Sequence, residues 1–201
     1  MNADDQKRAV GEAAAAMVEP GMTVGLGTGT TAAFFVRALG ARARAERLDL
    51  RCTATSQATA ALGAEVGLQV LDLDEVGEID LTIDGADEVG PGLALIKGGG
   101  AALLREKLVW EASRRCVAIA DASKRVERLG AFGLPVEVVA FGHRSTARRL
   151  ASSLGEQGFD AEPALRMSAG APLATDSGNV IYDLPLGSIA DPPALARALK
   201  A

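Results

Sequence analysis

Apolar positions recur along this chain in two alternating rhythms. A helical pattern runs to about Val18 and is closed by Pro20-Gly21, and the short apolar run MTVGL, Met22 to Leu26, then leads into glycines. The stretch TAAFFVRAL predicts a helix ending at Gly40, and ARARAER predicts a basic connection into the strand LDLRCTAT. A helix near SQATAALGAEV and a strand at LQVLDL follow. Further apolar runs, EIDLTID, LALIK and CVAIA, are separated by turn residues and by the helical stretch AALLREKLVWEAS. Strands alternating with helices in this way predict an α/β fold, a mostly parallel sheet with helices on both faces. Beyond Ala131 the texture changes. GLPVEVVAFG reads as a strand, STARRLASSLGEQG as an amphipathic helix, and AEPALRM and NVIYDL as further strands. The expected organisation is therefore a catalytic α/β domain over residues 1–131 and a smaller α+β domain over 132–201.

Composition narrows the classes of function. With 21 Lys and Arg against 26 Asp and Glu, the net charge is -5, which argues against nucleic acid or an anionic membrane as the main partner. ARARAER is basic, but it is short and poor in aromatics, and it reads as a solvated helix end. Cys52 and Cys116 each lie within an apolar strand-like run, giving core residues and no disulfide framework. The segment MNADDQKRAV lacks a signal-peptide core, and no run approaches the roughly 20 apolar residues of a membrane span. A cytoplasmic location is expected.

Three glycine- or carboxylate-rich stretches carry candidate chemistry. GLGTGTT, Gly25 to Thr31, lies between a strand and a helix, where backbone N–H groups and a partial positive charge suit a phosphate. Thr28, Thr30 and Thr31 add hydroxyls; the spacing fits neither the dinucleotide fingerprint nor the P-loop. The same glycines would also serve a merely structural turn. DGADE, Asp84 to Glu88, ends an apolar strand, where open α/β sheets place ligand contacts. Its three carboxylates could accept bonds from sugar hydroxyls, hold Mg²⁺ or form an acidic turn. In KGGGAALLREK, Lys97 and three glycines precede a helix, an arrangement suited to a developing oxyanion. Glu106 in that helix has Ala102, Leu103, Val109 and Trp110 three and four positions away. Such surroundings desolvate a carboxylate and make it a better base, although a surface glutamate paired with a neighbouring Arg or Lys gives the same local sequence. His143, the one histidine, is read as structural, at a strand end outside these motifs.

The order GLGTGTT, DGADE, KGGGAALLREK, ADASK, LPVEVV, with TSQAT at Thr55–Thr59 and TDSGN at Thr175–Asn179, resembles the type A ribose-5-phosphate isomerases from about Lys7 to Asp191. The resemblance implies interconversion of ribose 5-phosphate and ribulose 5-phosphate in the pentose phosphate pathway, through a cis-enediol and with neither metal nor organic cofactor. It makes Glu106 the proton acceptor and assigns oxygen charge to Lys97 and the N–H groups of Gly98, Gly99 and Gly100. Asp84 and Asp87, with Gly85 and Ala86 between them, match the acidic pair that binds hydroxyls and assists ring opening. Thr28, Gly29, Thr30, Thr31 and Lys124 match substrate-binding positions, with the phosphate near the loop, Lys124 and Lys7. A homodimer is implied as well. One positioned base, an electrophile and exclusion of water are what such a proton transfer needs on chemical grounds.

Two departures from the family pattern stand out. Thr30 replaces a usual serine and keeps the hydroxyl. The sequence stops at ALARALKA, where family members usually continue through a proline-glycine turn and a GLF-like segment to a last strand, and its absence would expose a sheet edge. A non-catalytic sugar-phosphate sensor and a nucleotide-dependent oxidoreductase are the competing readings. The first does not need Glu106, Lys97 and both aspartates, and it would bring a DNA-binding segment that is missing here. The second conflicts with the loop spacing.

Overall fold

A computed structural model describes residues 2–199. In chain order the elements are α1 Ala3–Ala15, β1 Thr23–Leu26, α2 Thr30–Glu46, β2 Arg51–Ala54, α3 Gln57–Glu65, β3 Gln69–Val70, α4 Leu73–Val76 and β4 Leu81–Gly85. There follow β5 Glu88–Val89, β6 Leu95–Ile96, α5 Leu103–Glu111, β7 Cys116–Ile119, β8 Leu134–Val138 and α6 His143–Glu156. The last are β9 Ala164–Leu165, β10 Met167–Ser168, β11 Ala171–Pro172, β12 Val180–Leu184 and α7 Pro192–Ala198. They divide into two compact units, each built from two stretches. The first takes the chain through Ala86 with Leu104–Ser123, and the second takes Asp87–Leu103 with everything from Lys124. The sequence pattern predicts a single cut at 131; in the structure Asp87–Leu103 belongs with the second unit.

The first unit is the expected α/β layer structure. Its five-stranded sheet has the order β3-β2-β1-β4-β7, with every pair parallel. Pairing runs back toward β3 on one side of β1 and forward toward β7 on the other, so the β1–β4 junction is a topological switch point. Strand alternation divides the side chains between two faces. Val24, Leu26, Leu81 and Ile83 join Phe35, Val36 and Leu39 of α2 and Ala14 and Ala15 of α1 in one core. On the opposite face, α5 lies over Gly25, where an added Cβ would come within 1.9 Å of Thr82 Oγ1 and 2.9 Å of Val109 Cγ1. Val109 packs there with Val76 and Ile79.

Two features of this unit differ from the pattern reading. The second helix does not stop at Gly40 but continues to Glu46, and it ends on Arg47 in the left-handed region at φ 56°. Gly40 serves packing, since a Cβ there would meet Val66 Cγ2 at 2.5 Å. The basic stretch ARARAER is accordingly helical. Arg42 Nη1 donates to the carbonyls of Ala15 and Val18 at 2.7 and 2.6 Å and so satisfies the end of α1 and the turn after it.

The second unit has a three-stranded antiparallel sheet, β8-β12-β9, and two hairpin pairs, β10-β11 and β5-β6. LALIK therefore contributes β6 to a small antiparallel pair, not to the parallel sheet. Its core gathers Ile96, Leu129, Leu154, Leu184, Leu186, Ile189 and Leu195. His143 opens α6 instead of ending a strand, and its Nδ1 lies 2.7 Å from the hydroxyl of buried Tyr182. No helix among the described residues is long and apolar enough to cross a membrane.

Both cysteines lie in strands, as expected. Burial pushes the Cys52 thiol up to about 12. Burial, with a further contribution from the negative charge of Asp84, also raises that of Cys116. An unfolded thiol ionises near 8.5, so the Cys52 contribution to stability is complete below about pH 8.5 and is lost as pH rises toward 12. At pH 8 the native protein should leave Cys52 unmodified by iodoacetamide, with full reaction in denaturant; mass spectrometry reads both, and rapid native labelling would contradict this placement. Replacing Gly25 with Ala should cost about 1–3 kcal/mol by overpacking. Gly155→Ala, at a helical position with open space around it, should instead gain about 0.4–1 kcal/mol. Urea unfolding of the two variants measures the difference in sign.

Candidate active site

At the switch point the chain leaves β1 through Gly27 and Thr28, and the backbone runs against the end of β4. Gly27 N–H donates to Ile83 O at 2.9 Å, and Thr28 N–H donates to Asp84 Oδ1 at 2.9 Å. Asp84 is fully buried, and the same oxygen accepts from Gly85 N–H at 2.7 Å. A Cβ on Gly27 would fall 2.2 Å from that oxygen, so only glycine fits. Gly29, at φ 104°, turns the chain into α2 without a side-chain cap, leaving the first N–H groups of that helix to other partners. Gly29 and Thr30 are exposed, whereas Thr31 is buried.

The hydroxyl of Thr28 is turned into the protein. It lies 2.7 Å from Thr55 Oγ1, 2.8 Å from Ser56 Oγ and 3.3 Å from Thr59 Oγ1. Ser56 caps α3 by accepting from Thr59 N–H at 3.1 Å, and Thr59 donates back to Gly27 O at 3.1 Å. The TSQAT stretch thus braces the glycine loop from below, with a helix cap at its centre.

Glu106 sits in the first turn of α5 and is only 4% exposed. Val109, one turn later on the same helix face, is the residue packed over Gly25. The burial expected from its apolar neighbours is present. Asp84 alternates with Leu81 and Ile83 along β4, so it lies with Thr82 on the sheet face that α5 covers. Lys7, on α1, is half-buried and lies 3.8 Å from Asp4. Its neighbour Gln6 accepts from Ala122 N–H at 3.1 Å. Asp121, just after β7, is buried and accepts from the N–H and hydroxyl of Ser123. It shapes the short 3-10 turn Ala122–Lys124.

The second unit holds the remaining candidates. Asp87 Oδ2 accepts from Gly99 N–H at 2.8 Å, and a Cβ on Gly99 would come within 2.5 Å of its other oxygen. Gly98 is held at φ 104°. Lys97, Lys124 and Asp87 are half-buried and Gly100 is exposed; Gly85 and Ala86, which belong to the first unit, are half-buried as well. The three carboxylates of DGADE take different partners: Asp84 binds the glycine loop, Asp87 binds Gly99, and buried Glu88 accepts from the N–H groups of Gly130 and Phe132 at 2.7 and 2.6 Å. Glu88 is therefore a structural residue. Sequence reasoning also missed Arg166, whose guanidinium pairs with Asp183 and donates to the carbonyls of Gly98 and Gly99 at 3.0 and 3.3 Å. An arginine splitting the apolar run AEPALRM was the available signal.

Comparison with known proteins identifies a family. A sequence profile of the family described as ribose 5-phosphate isomerase A (phosphoriboisomerase A) matches residues 51–201. The protein named Ribose-5-phosphate isomerase A of Caulobacter sp. (strain K31) is 63% identical over 201 residues, which cover all of this chain and 86% of that relative. The structure of ribose 5-phosphate isomerase A from Methanocaldococcus jannaschii superposes with a TM-score of 0.88 at 37% identity, covering 98% of this chain and 85% of that one. A D-ribose-5-phosphate isomerase solved in complex with phospho-erythronic acid gives 0.89 at 33% identity, over 97% of this chain and 84% of that one.

Because both oxygens of Glu88 accept backbone N–H groups, Glu88→Gln places an amide NH₂ against one of these donors. Urea unfolding should show a loss of about 1–3 kcal/mol. Unchanged stability would contradict the structural role.

Proposed function

This chain belongs to the ribose 5-phosphate isomerase A family, and we propose that it interconverts ribose 5-phosphate and ribulose 5-phosphate through a cis-enediol with Glu106 as the base. The observation that carries this reading is a carboxylate buried in the first turn of α5, on the face that packs over the β1–β4 switch point. An aldose with an open carbonyl at C1 loses its C2 proton to the Glu106 carboxylate, and the electron pair moves onto O1. A proton then passes from the O2 hydroxyl to O1, and the protonated Glu106 returns its proton to C1 as the electron pair left on O2 re-forms the carbonyl at C2. Lys97 and the N–H groups of the Lys97–Gly100 loop meet the negative charge on oxygen. Asp84 and Asp87 bind hydroxyls and assist ring opening.

The phosphate is assigned to the start of α2, where Gly29, Thr30 and Thr31 present backbone N–H groups, with Lys124 and Lys7 as the cations. Thr28 acts through its main chain and by bracing the loop, since its hydroxyl is engaged with Thr55, Ser56 and Thr59. The phospho-erythronic acid bound by the related enzyme fits the same chemistry: a phosphate at one end and a planar carboxylate at the other, the latter resembling an enediolate. No step of this scheme calls on a metal or an organic cofactor. We assign the protein to the pentose phosphate pathway, in the cytoplasm and as a homodimer, on the strength of its resemblance to the family.

The test is conversion of ribose 5-phosphate in the presence of EDTA by the wild type and by Glu106→Gln. The wild type should turn over and the variant should lose on the order of 10²–10⁴ in kcat while still binding substrate. A variant at wild-type rate would remove Glu106 from the role of base, and EDTA-sensitive turnover would contradict metal independence.

A further inference from the structure

The loop Lys97–Gly100 is held by a device outside every motif that the resemblance uses. Arg166 lies between β9 and β10, and its main chain is pinned on both sides: its N–H donates to Ile181 O at 2.8 Å, and its carbonyl accepts from Leu173 N–H at 2.9 Å. Its side chain is 15% exposed and engages Asp183 of β12 through Nε, at 2.9 Å, and Nη2. Two parallel bonds of this kind fix the guanidinium plane. The remaining nitrogen, Nη1, donates to both Gly98 O and Gly99 O.

A trans peptide unit is planar, with its carbonyl and N–H pointing in opposite directions. Holding Gly98 O therefore aims the N–H of Gly99 away from Arg166, and that N–H is the one accepted by Asp87. The peptide between Gly98 and Gly99 is thus clamped at both ends, by a cation on oxygen and a carboxylate on nitrogen. Holding Gly99 O aims the N–H of the exposed Gly100 away from the guanidinium in the same manner. Gly98 at φ 104° and the absence of room for a Cβ on Gly99 make this backbone path specific to glycine.

We infer that Arg166, locked by Asp183, is a positioning residue for the isomerisation: it sets the direction of the Gly100 N–H toward oxygen charge on the substrate and, through the Gly98–Gly99 peptide, the place of Asp87. This inference rests on the isomerase reading given above. Arg166 does not itself touch the reacting atoms. Its effect is felt in the transition state more than in binding of the phosphate, because the loop it orients carries the donors for the developing charge.

The experiment compares Arg166→Gln and the double variant Arg166→Gln/Asp183→Asn with the wild type. The double variant removes both charges, so no unpaired carboxylate is left behind to unfold the unit. Steady-state kinetics on ribose 5-phosphate, calorimetric binding of 4-phospho-D-erythronate and of inorganic phosphate, and thermal melting are read on each. The expected result is a fall in kcat on the order of 10²-fold, with KM much less affected. Affinity for the erythronate should fall in parallel with kcat, while affinity for inorganic phosphate holds. A folded double variant that keeps wild-type kcat and erythronate affinity overturns the role of Arg166. So does an equal loss of erythronate and phosphate affinity, the mark of general disorder. A wild type that binds both ligands but shows no turnover overturns the isomerase reading instead.

Discussion

Gly25 on β1 and Gly27 just beyond its end face the same side of the sheet, where a methyl group would come within 1.9 Å of Thr82 Oγ1 and 2.2 Å of Asp84 Oδ1. Their bareness lets β1 and β4 present a smooth surface to α5, and it brings Thr28 N–H to Asp84. With Val109 seated over Gly25, the helix register carries Glu106, one turn earlier, into the buried face. A larger residue at either glycine would have to be met by moving Asp84, α5 or both. The position of the proposed base and of one of the acidic pair thus follows from close packing of a sheet and a helix.

The net charge of -5 makes binding of a phosphorylated sugar a matter of local design. The start of α2 has no side-chain cap, and the cations assigned to the substrate, Lys7, Lys97 and Lys124, are each half-buried. The carboxylates of DGADE have fixed partners. Glu88 is bound by two N–H groups, Asp87 by one, and Asp84 by two. Acidic residues with such commitments hold the backbone in place.

Much of this was legible in the sequence because it is local. Apolar rhythm showed the strand-loop-helix unit around GLGTGTT, and the apolar neighbours of Glu106 pointed to its burial. What depends on distant partners was not legible. Gly40 reads as a helix stop, yet its role is close packing against Val66 at the end of α3. LALIK has the composition of a parallel strand, and only its pairing with Glu88–Val89 shows otherwise. The third carboxylate of DGADE looks equivalent to the other two until Gly130 and Phe132 are seen to hold it. Arg166 acts on a loop 68 residues away in sequence, and no periodicity marks such a pair.

The central claim is that a buried carboxylate moves a proton between adjacent carbons, and the fate of hydrogen at C2 tests it most directly. Ribose 5-phosphate carrying deuterium at C2 would be equilibrated with the wild-type protein in ordinary water over many turnovers, and the sugar phosphates examined by NMR. Transfer through Glu106 predicts loss of the deuterium to solvent over many turnovers, because the protonated carboxylate exchanges with water during the lifetime of the enediol. Complete retention of the label, shared only between C2 and C1, would indicate a hydride shift and contradict the account.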